Sequence, residues 1–267
     1  MTLDARAFDA LLQRHRSIRQ FKPDDIPPAE LQAILAGAIQ GTSSSGNLNT
    51  FSVIVTRDPA RRQALHELHM RQDMILQAPV LLTFCADTRR VRDWLALNGA
   101  RDNFDHLHGF LVAAFDAMLL AQTVALSCEA RGLGICYMGT TLNAADALCE
   151  FFDLPAGVFP VTTLVLGHPA ESPAQRDRLP LSAYVHEERY ERLDAEALAQ
   201  AYAQRDHKGL ARYLAMGEDM RRQWDELGLK NLAQYYTSKI KYDPERQRRD
   251  SRMQLDTLAQ QDFLRHE

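Results

Sequence analysis

Two hydrophobic periods alternate along the first two-thirds of the chain. "MTLDARAFDALLQRHR" (1–16) reads as an amphipathic helix. "PPAELQAILAGAIQ" (27–40) opens with prolines suited to a first helical turn, then sets Leu31, Ile34, Leu35, Ala38 and Ile39 along one face. "FSVIVTRD" (51–58) is a short β-branched run ending in a turn, which predicts a strand. "PARRQALHELHMRQ" (59–72) returns to helical spacing, and "APVLLTFCAD" (78–87) is a continuous apolar strand of the kind buried on both faces. A long helix is predicted over 104–131, and the glycines of "RGLGICYMG" (131–139) stop it and start another strand. "NAADALCEFFDL" (143–154) predicts a short helix capped by Asn143, and "VFPVTTLVLGHP" (158–169) a last buried strand. This alternation predicts a mixed, layered architecture of helices and strands. After about residue 190 the chain turns helical, polar and arginine-rich, so residues 1–192 read as the main domain and 193–267 as a helical extension. The extension is too polar for a core of its own, and is expected to pack on the main domain or on a partner subunit.

Composition narrows this picture. With 46% apolar and 25% charged residues among 267, the chain has a globular profile. A net charge of −4 gives no global attraction to nucleic acid or to an anionic membrane, so any anion site must be local. The apolar run 107–130 is interrupted by Asp116 and Gln122, with His108 near its start, which suits a buried helix better than a membrane span. The start lacks the long apolar centre of a secretory signal. Cys85, Cys128, Cys136 and Cys149 form no C-x-x-C pair and sit in apolar stretches, as buried reduced thiols of a cytoplasmic protein would.

Four segments offer chemistry. In "RHRSIRQF" (14–21), Arg16 and Arg19 would share one side of a helical turn, with Ser17 as a hydroxyl donor. That is a phosphate site or a charged helix end. "TSSSGNLN" (42–49) supplies hydroxyls and a glycine that would let backbone N–H groups converge as an anion nest, or it is a plain loop. It matches neither a P-loop nor a G-x-G-x-x-G fingerprint. "GICYMGTTLN" (134–143) ends a predicted strand, where ligands bind in layered sheets, and Gly139 would let a flat ring approach the backbone; a tight connection would read the same. Arg176 and Arg178 of "QRDRLP" (175–180) would close over an anion or serve as surface charges. His66 and His69 lack a third ligand for zinc, no G-x-S-x-G elbow is present, and "KIKYDPERQRRDSR" (239–252) reads as a solvated helix.

Taken in order, "HRSIRQF", "TSSSGNLN", "GLGICYMGTTLN", "LVLGHPAESPAQRDRLP" and "VHEERY" resemble the FMN-dependent nitroreductase family, nearest its NADPH-dependent flavin reductase and oxygen-insensitive nitroreductase branch. The resemblance covers roughly residues 10–192. It implies an α+β fold: a nitroreductase-like central mixed β-sheet flanked by helices, in an intertwined homodimer with an extended helical C-terminal tail and FMN at the interface. It implies that His15, Arg16, Ser17 and Arg19 hold the FMN phosphate and nearby ribityl chain, with Ser43, Ser44, Ser45 and Asn49 as the serine-rich loop beside the flavin. Gln72 falls near the ribityl chain or ring, Tyr137, Met138, Gly139 and Thr140 flank the isoalloxazine, and Arg176 and Arg178 are the cationic pair after the last strand. Where Thr140 stands, the branch commonly has a second glycine. The implied activity is hydride transfer from NADPH or NADH through FMN to a nitroaromatic, a quinone or free flavin, by a ping-pong mechanism with no catalytic side chain and no metal. The partners implied are a small-molecule acceptor and a second copy of the chain, with no nucleic acid or membrane. Alternatives are other chemistry on the same fold, such as reductive dehalogenation or flavin cleavage, or a flavin-binding protein without turnover.

Overall fold

A computed structural model of the chain describes residues 4–265. The chain forms two compact units, 1–174 with 250–267, and 175–249. The first unit begins with α1 (Ala5–Gln13), capped by the Asp4 side chain, and α2 (Pro28–Gly41). Then come β1 (Phe51–Thr56), α3 (Pro59–Leu68), the short α4 (Met74–Gln77), β2 (Val80–Asp87) and α5 (Arg89–Leu97). The sequence pattern predicts no element where α5 lies. The long α6 (Leu107–Ala130) leads into β3 (Gly134–Met138), α7 (Ala145–Phe151) and β4 (Val158–Gly167). Residues 1–3, part of the expected first helix, lie outside the described residues.

The sheet order is β1-β2-β4-β3, and every pairing between these strands is antiparallel. The expected mixed sheet is corrected: among the described residues the four strands pair only antiparallel, and the parallel contact is an isolated bridge from Ser17 to Ile135 of β3. The central strand β2 is buried along its whole length, as its unbroken apolar run required. Its side chains alternate between two cores: Leu82 and Phe84 face α2 and α6 with Ile34, Leu120 and Val124, while Leu81 meets Leu65, Ile75 and Leu148 on the other face. The expectation of Asn143 as a helix cap is corrected. A 3-10 turn over Gly139–Ala144 precedes α7, Ala144 occupies the cap position, and the Asn143 amide donates to Asp250 instead.

The expectation that the extension is too polar for a core of its own is corrected: in the second unit α8 (Ala195–Leu214), α9 (Glu218–Glu226) and α10 (Leu232–Tyr236) gather around Trp224, Leu232 and Tyr235, with Trp224 stacked on Tyr235 at 5.4 Å. The last helix, α11 (Pro244–Gln260), belongs to the first unit from residue 250 onward, where Leu258 and the following Phe263 pack with Phe159 and Ala145.

Candidate cofactor site

Three of the predicted segments are tied to one helix. Near the C-terminal end of α6, Glu129 Oε1 lies 2.7 Å from His15 Nδ1; one turn-pair earlier, Gln122 Oε1 accepts the Tyr137 hydroxyl at 3.3 Å. Earlier still, Asp116 Oδ2 accepts the hydroxyls of Ser44 at 2.6 Å and Thr50 at 2.8 Å, and Oδ1 accepts the Ser45 N–H at 3.0 Å. Asp116 is only 3% exposed, and a carboxylate so deep in an apolar helix requires such partners. The polar interruptions that argued against a membrane span are therefore the residues that hold the site. By length and composition α6 is the one described helix long and apolar enough to cross a membrane, yet half of that stretch is buried inside the fold.

The segment after α1 is extended, which corrects the expected helical turn at Arg16 and Arg19. The Ile18 N–H donates to Ile135 O at 2.8 Å, the Lys22 N–H to His168 O at 2.8 Å and the Ala170 N–H to Gln20 O at 2.9 Å. Edge pairing on β3 and on the chain after β4 thus satisfies a backbone that a helix would otherwise have satisfied. Two glycines permit this approach: a Cβ on Gly134 would lie 2.8 Å from Ile18 Cγ1, and one on Gly167 would lie 2.6 Å from Pro79 Cδ and 3.0 Å from Phe21. Arg16 and Arg19, three residues apart on extended chain, leave on opposite sides. Arg16 Nη1 donates to Ser172 Oγ at 2.9 Å, while the backbone N–H groups of Arg19 and Gln20 both donate to Glu171 Oε1. The Arg19 guanidinium is exposed and makes one long bond among the described residues, to Ser17 O at 3.4 Å, so most of its donors stay open to a ligand. A cavity of about 290 Å³ beside this segment pairs Arg14 and Arg16 with Glu129 and Glu171, a balanced set of charges that leaves Arg19 as the stronger anion ligand.

In the serine loop, Ser44 is committed inward. Its hydroxyl donates to Asp116 and accepts the Asn49 N–H at 2.8 Å. Ser43 and Ser45 remain exposed, and Asn49, with φ 55°, turns its side-chain amide onto Asn47 O at 2.7 Å. Arg90 on α5 fastens the end of the loop through Asn49 O at 2.8 Å and Phe51 O at 2.7 Å. At about 100° per residue, Gln122 and Glu129 share a face of α6, whereas Asp116 lies about 120° round from Gln122. One chain therefore anchors the serine loop on a different face of α6 from the "HRSIR" and Tyr137 segments.

At the end of β3, Met138 is buried and Gly139 is exposed, and a Cβ on Gly139 would meet nothing within 4 Å. Thr140 joins Gln72 and His69 in one cluster. Thr140 Oγ1 lies 2.8 Å from His69 Nδ1 and 3.3 Å from Gln72 Nε2, which also donates to His69 O at 3.1 Å. Met70 and Arg71, both with positive φ, turn the chain after α3 so that Gln72 reaches back. His69 is fully buried, and desolvation lowers its pKa to about 4. Arg176 and Arg178 fall in the second unit, exposed in a stretch without regular secondary structure. Between them, Asp177 accepts from Lys208 Nζ at 2.8 Å and from Gln204 at 3.4 Å, fixing that stretch on α8.

Sequence reasoning missed Asp116, Glu129 and His69 as parts of this arrangement. Asp116 carried a readable signal, since a lone carboxylate in an apolar helix demands donors; His69 and Glu129 carried none, because their partners lie 71 and 114 residues away in sequence. Among the described residues no group of three or more His, Cys, Asp or Glu side chains is placed to hold a metal ion.

The nitroreductase family model matches residues 12–70 and 60–168. The chain is 37% identical over 183 residues to an NAD(P)H FMN reductase of Bacillus subtilis (strain 168), covering 67% of this chain and 72% of that protein. It is 35% identical over 213 residues to the oxygen-insensitive NADPH nitroreductase of Salmonella typhimurium (strain LT2), covering 79% and 85%. A solved structure from Bacteroides fragilis NCTC 9343 superposes with a TM-score of 0.86 at 34% identity, over 96% of this chain and 99% of that one. With its extended arginine segment, serine loop and strand-end turn set around the long core helix, the chain belongs to the nitroreductase family.

Proposed function

We infer that the protein is an FMN-dependent oxidoreductase that takes hydride from NAD(P)H and passes reducing equivalents to a small-molecule acceptor: a nitroaromatic, a quinone or free flavin. Family membership and the activities named for the two relatives support this reading. The observation in this chain that carries it is the strand-end cradle. Beyond Gly139 a Cβ would meet open space, and beside it stand Thr140 and Gln72, with Arg19 and its open donors on the chain bridged to the same strand.

FMN, when bound, supplies the two-electron hydride chemistry, and the protein supplies binding, orientation and electrostatics. Arg16, Arg19, Ser17 and His15 hold the phosphate and the nearby ribityl chain. Tyr137, Met138, Gly139 and Thr140 flank the ring, and Gln72 faces it. Ser43, Ser45 and Asn49 contribute from the serine loop, where Ser44 acts through the fold of the loop and not by direct contact. One site serves NAD(P)H and then the acceptor, which gives ping-pong kinetics. His69 is neutral at pH 7 with its pKa held near 4, so it is no proton donor, and solvent delivers the protons.

The active form is a cytoplasmic homodimer. Leu111, Phe115, Met118 and Leu119 form an exposed apolar stripe on α6, with Phe115 63% exposed, and Phe8 and Leu12 of α1 are exposed as well. Apolar side chains at this spacing on a core helix suit burial against a second copy. The serine loop, anchored on another face of α6, would then complete the partner's flavin site.

The test is spectroscopic. Purified protein should carry the flavin absorption band, which bleaches anaerobically on adding NAD(P)H. A colourless protein that cannot be reconstituted with FMN would sink the reading. Replacing both Arg16 and Arg19 with Ala should weaken FMN binding at least tenfold, since each charge-assisted hydrogen bond is worth about 1.5–3 kcal/mol.

A further inference from the structure

We propose that Thr140 donates its hydroxyl hydrogen to the bound flavin, and that His69 is the positioning residue that aims it. The proposal rests on the FMN reading above and adds a specific donor to it.

His69 is fully buried, and as a neutral imidazole it has a single N–H. Its Nδ1 is 2.8 Å from Thr140 Oγ1, while Nε2 meets no partner among the described residues. A proton on Nε2 would be an orphaned buried donor, whereas one on Nδ1 is bonded; the second tautomer is favoured, because an unmet lone pair costs less than an unmet N–H. Thr140 Oγ1 therefore accepts from His69 Nδ1, and it also accepts from Gln72 Nε2 at 3.3 Å. Both of its lone pairs are filled. Its own O–H is left as a donor, and no described residue accepts it. Both N–H groups of Gln72 are likewise spent, on Thr140 Oγ1 and His69 O, so this amide offers a ligand only its carbonyl oxygen.

The cluster thus presents one donor and one acceptor beside the open face of Gly139. The isoalloxazine has ring carbonyls and a ring N–H along one edge, which complement such a pair. Thr140 is half-buried, while the histidine behind it is shut away.

Thr140→Val, His69→Ala, His69→Asn and the His69→Ala/Thr140→Val double variant test it. FMN affinity is read by quenching of flavin fluorescence on the apoprotein, and apoprotein Tm is read alongside. Losing one hydrogen bond should weaken FMN about tenfold in Thr140→Val and in His69→Ala alike. The double variant should be no worse than either single one, since both remove the same interaction. His69→Asn, whose amide nitrogen takes the place of Nδ1, should return affinity to within about threefold of the parent. Thr140→Val affinity within about twofold of the parent would overturn the proposal, and so would single effects that multiply to about a hundredfold in the double variant. A lower Tm with FMN affinity unchanged would mean a purely structural histidine, and overturn it too. Should His69→Ala fail to fold, Thr140→Val and His69→Asn carry the test. If Arg16→Ala/Arg19→Ala weakens FMN while Thr140→Val does not, only the aimed donor is wrong; if the parent binds no FMN, both readings fall.

Discussion

Replacing Asp116 with Ala removes one acceptor group from three donors at once: the hydroxyls of Ser44 and Thr50 and the N–H of Ser45. These losses are not equal. Thr50 is 1% exposed and has nowhere to turn, Ser44 is half-buried, and Ser45 is exposed enough for water to replace the carboxylate. Leaving a buried donor unmet costs about 1–3 kcal/mol, so one full loss, one partial loss and a small cavity sum to roughly 2–4 kcal/mol. Relief from burying a charge offsets some of this, which favours the lower half of that range. Asp116→Asn keeps one carbonyl oxygen for the hydroxyls but turns an NH₂ toward the Ser45 N–H, and should cost about 1–2 kcal/mol. Urea unfolding of the apoprotein with an unchanged m-value measures both variants. Stabilities of both within about 0.5 kcal/mol of the parent would refute the view that Asp116 organises the serine loop.

Gly134→Ala forces a Cβ to within 2.8–3.0 Å of three Ile18 side-chain atoms; the extended segment should lift from β3, lowering Tm and FMN affinity together, with Ile18→Ala partly restoring both. His69 has a folded-state pKa near 4 against 6.5 unfolded, so between those values the unfolded chain binds the extra proton and stability falls as pH drops. Urea titrations should show the parent losing up to about 2 kcal/mol more than His69→Asn between pH 7 and pH 5; equal losses would refute a buried neutral imidazole. Phe115→Glu puts a charge in the apolar stripe of α6 and should yield monomers by light scattering, with FMN binding weakened because the partner's serine loop is lost.

Much of the fold was legible because its signals are local. The unbroken run of β2, the periodic face of α2 and the glycine stop after α6 each follow from a few neighbouring residues. Arg16 and Arg19 show where such reading fails. Their spacing suits a helix, but the segment follows the stop of α1 and gains its backbone hydrogen bonds from Ile135, His168 and Ala170, more than a hundred residues away. Asn143 likewise has a cap residue's chemistry, yet its amide is taken by Asp250. Local propensity is worth a few tenths of a kcal/mol to about 1 kcal/mol, and a tertiary hydrogen bond of similar size reverses it.

The sequence by itself determined the two-sided core strand, the long core helix and the segments from which a flavin site would be built. Only the tertiary structure decided how those segments are held. It gave Ser44 to Asp116, His15 to Glu129 and Thr140 to His69, and set the serine loop on a different face of α6 from the arginine segment. The reason is physical. Hydrophobic period is written in the order of residues, whereas a polar group's partner depends on which distant surfaces the core brings within about 3 Å.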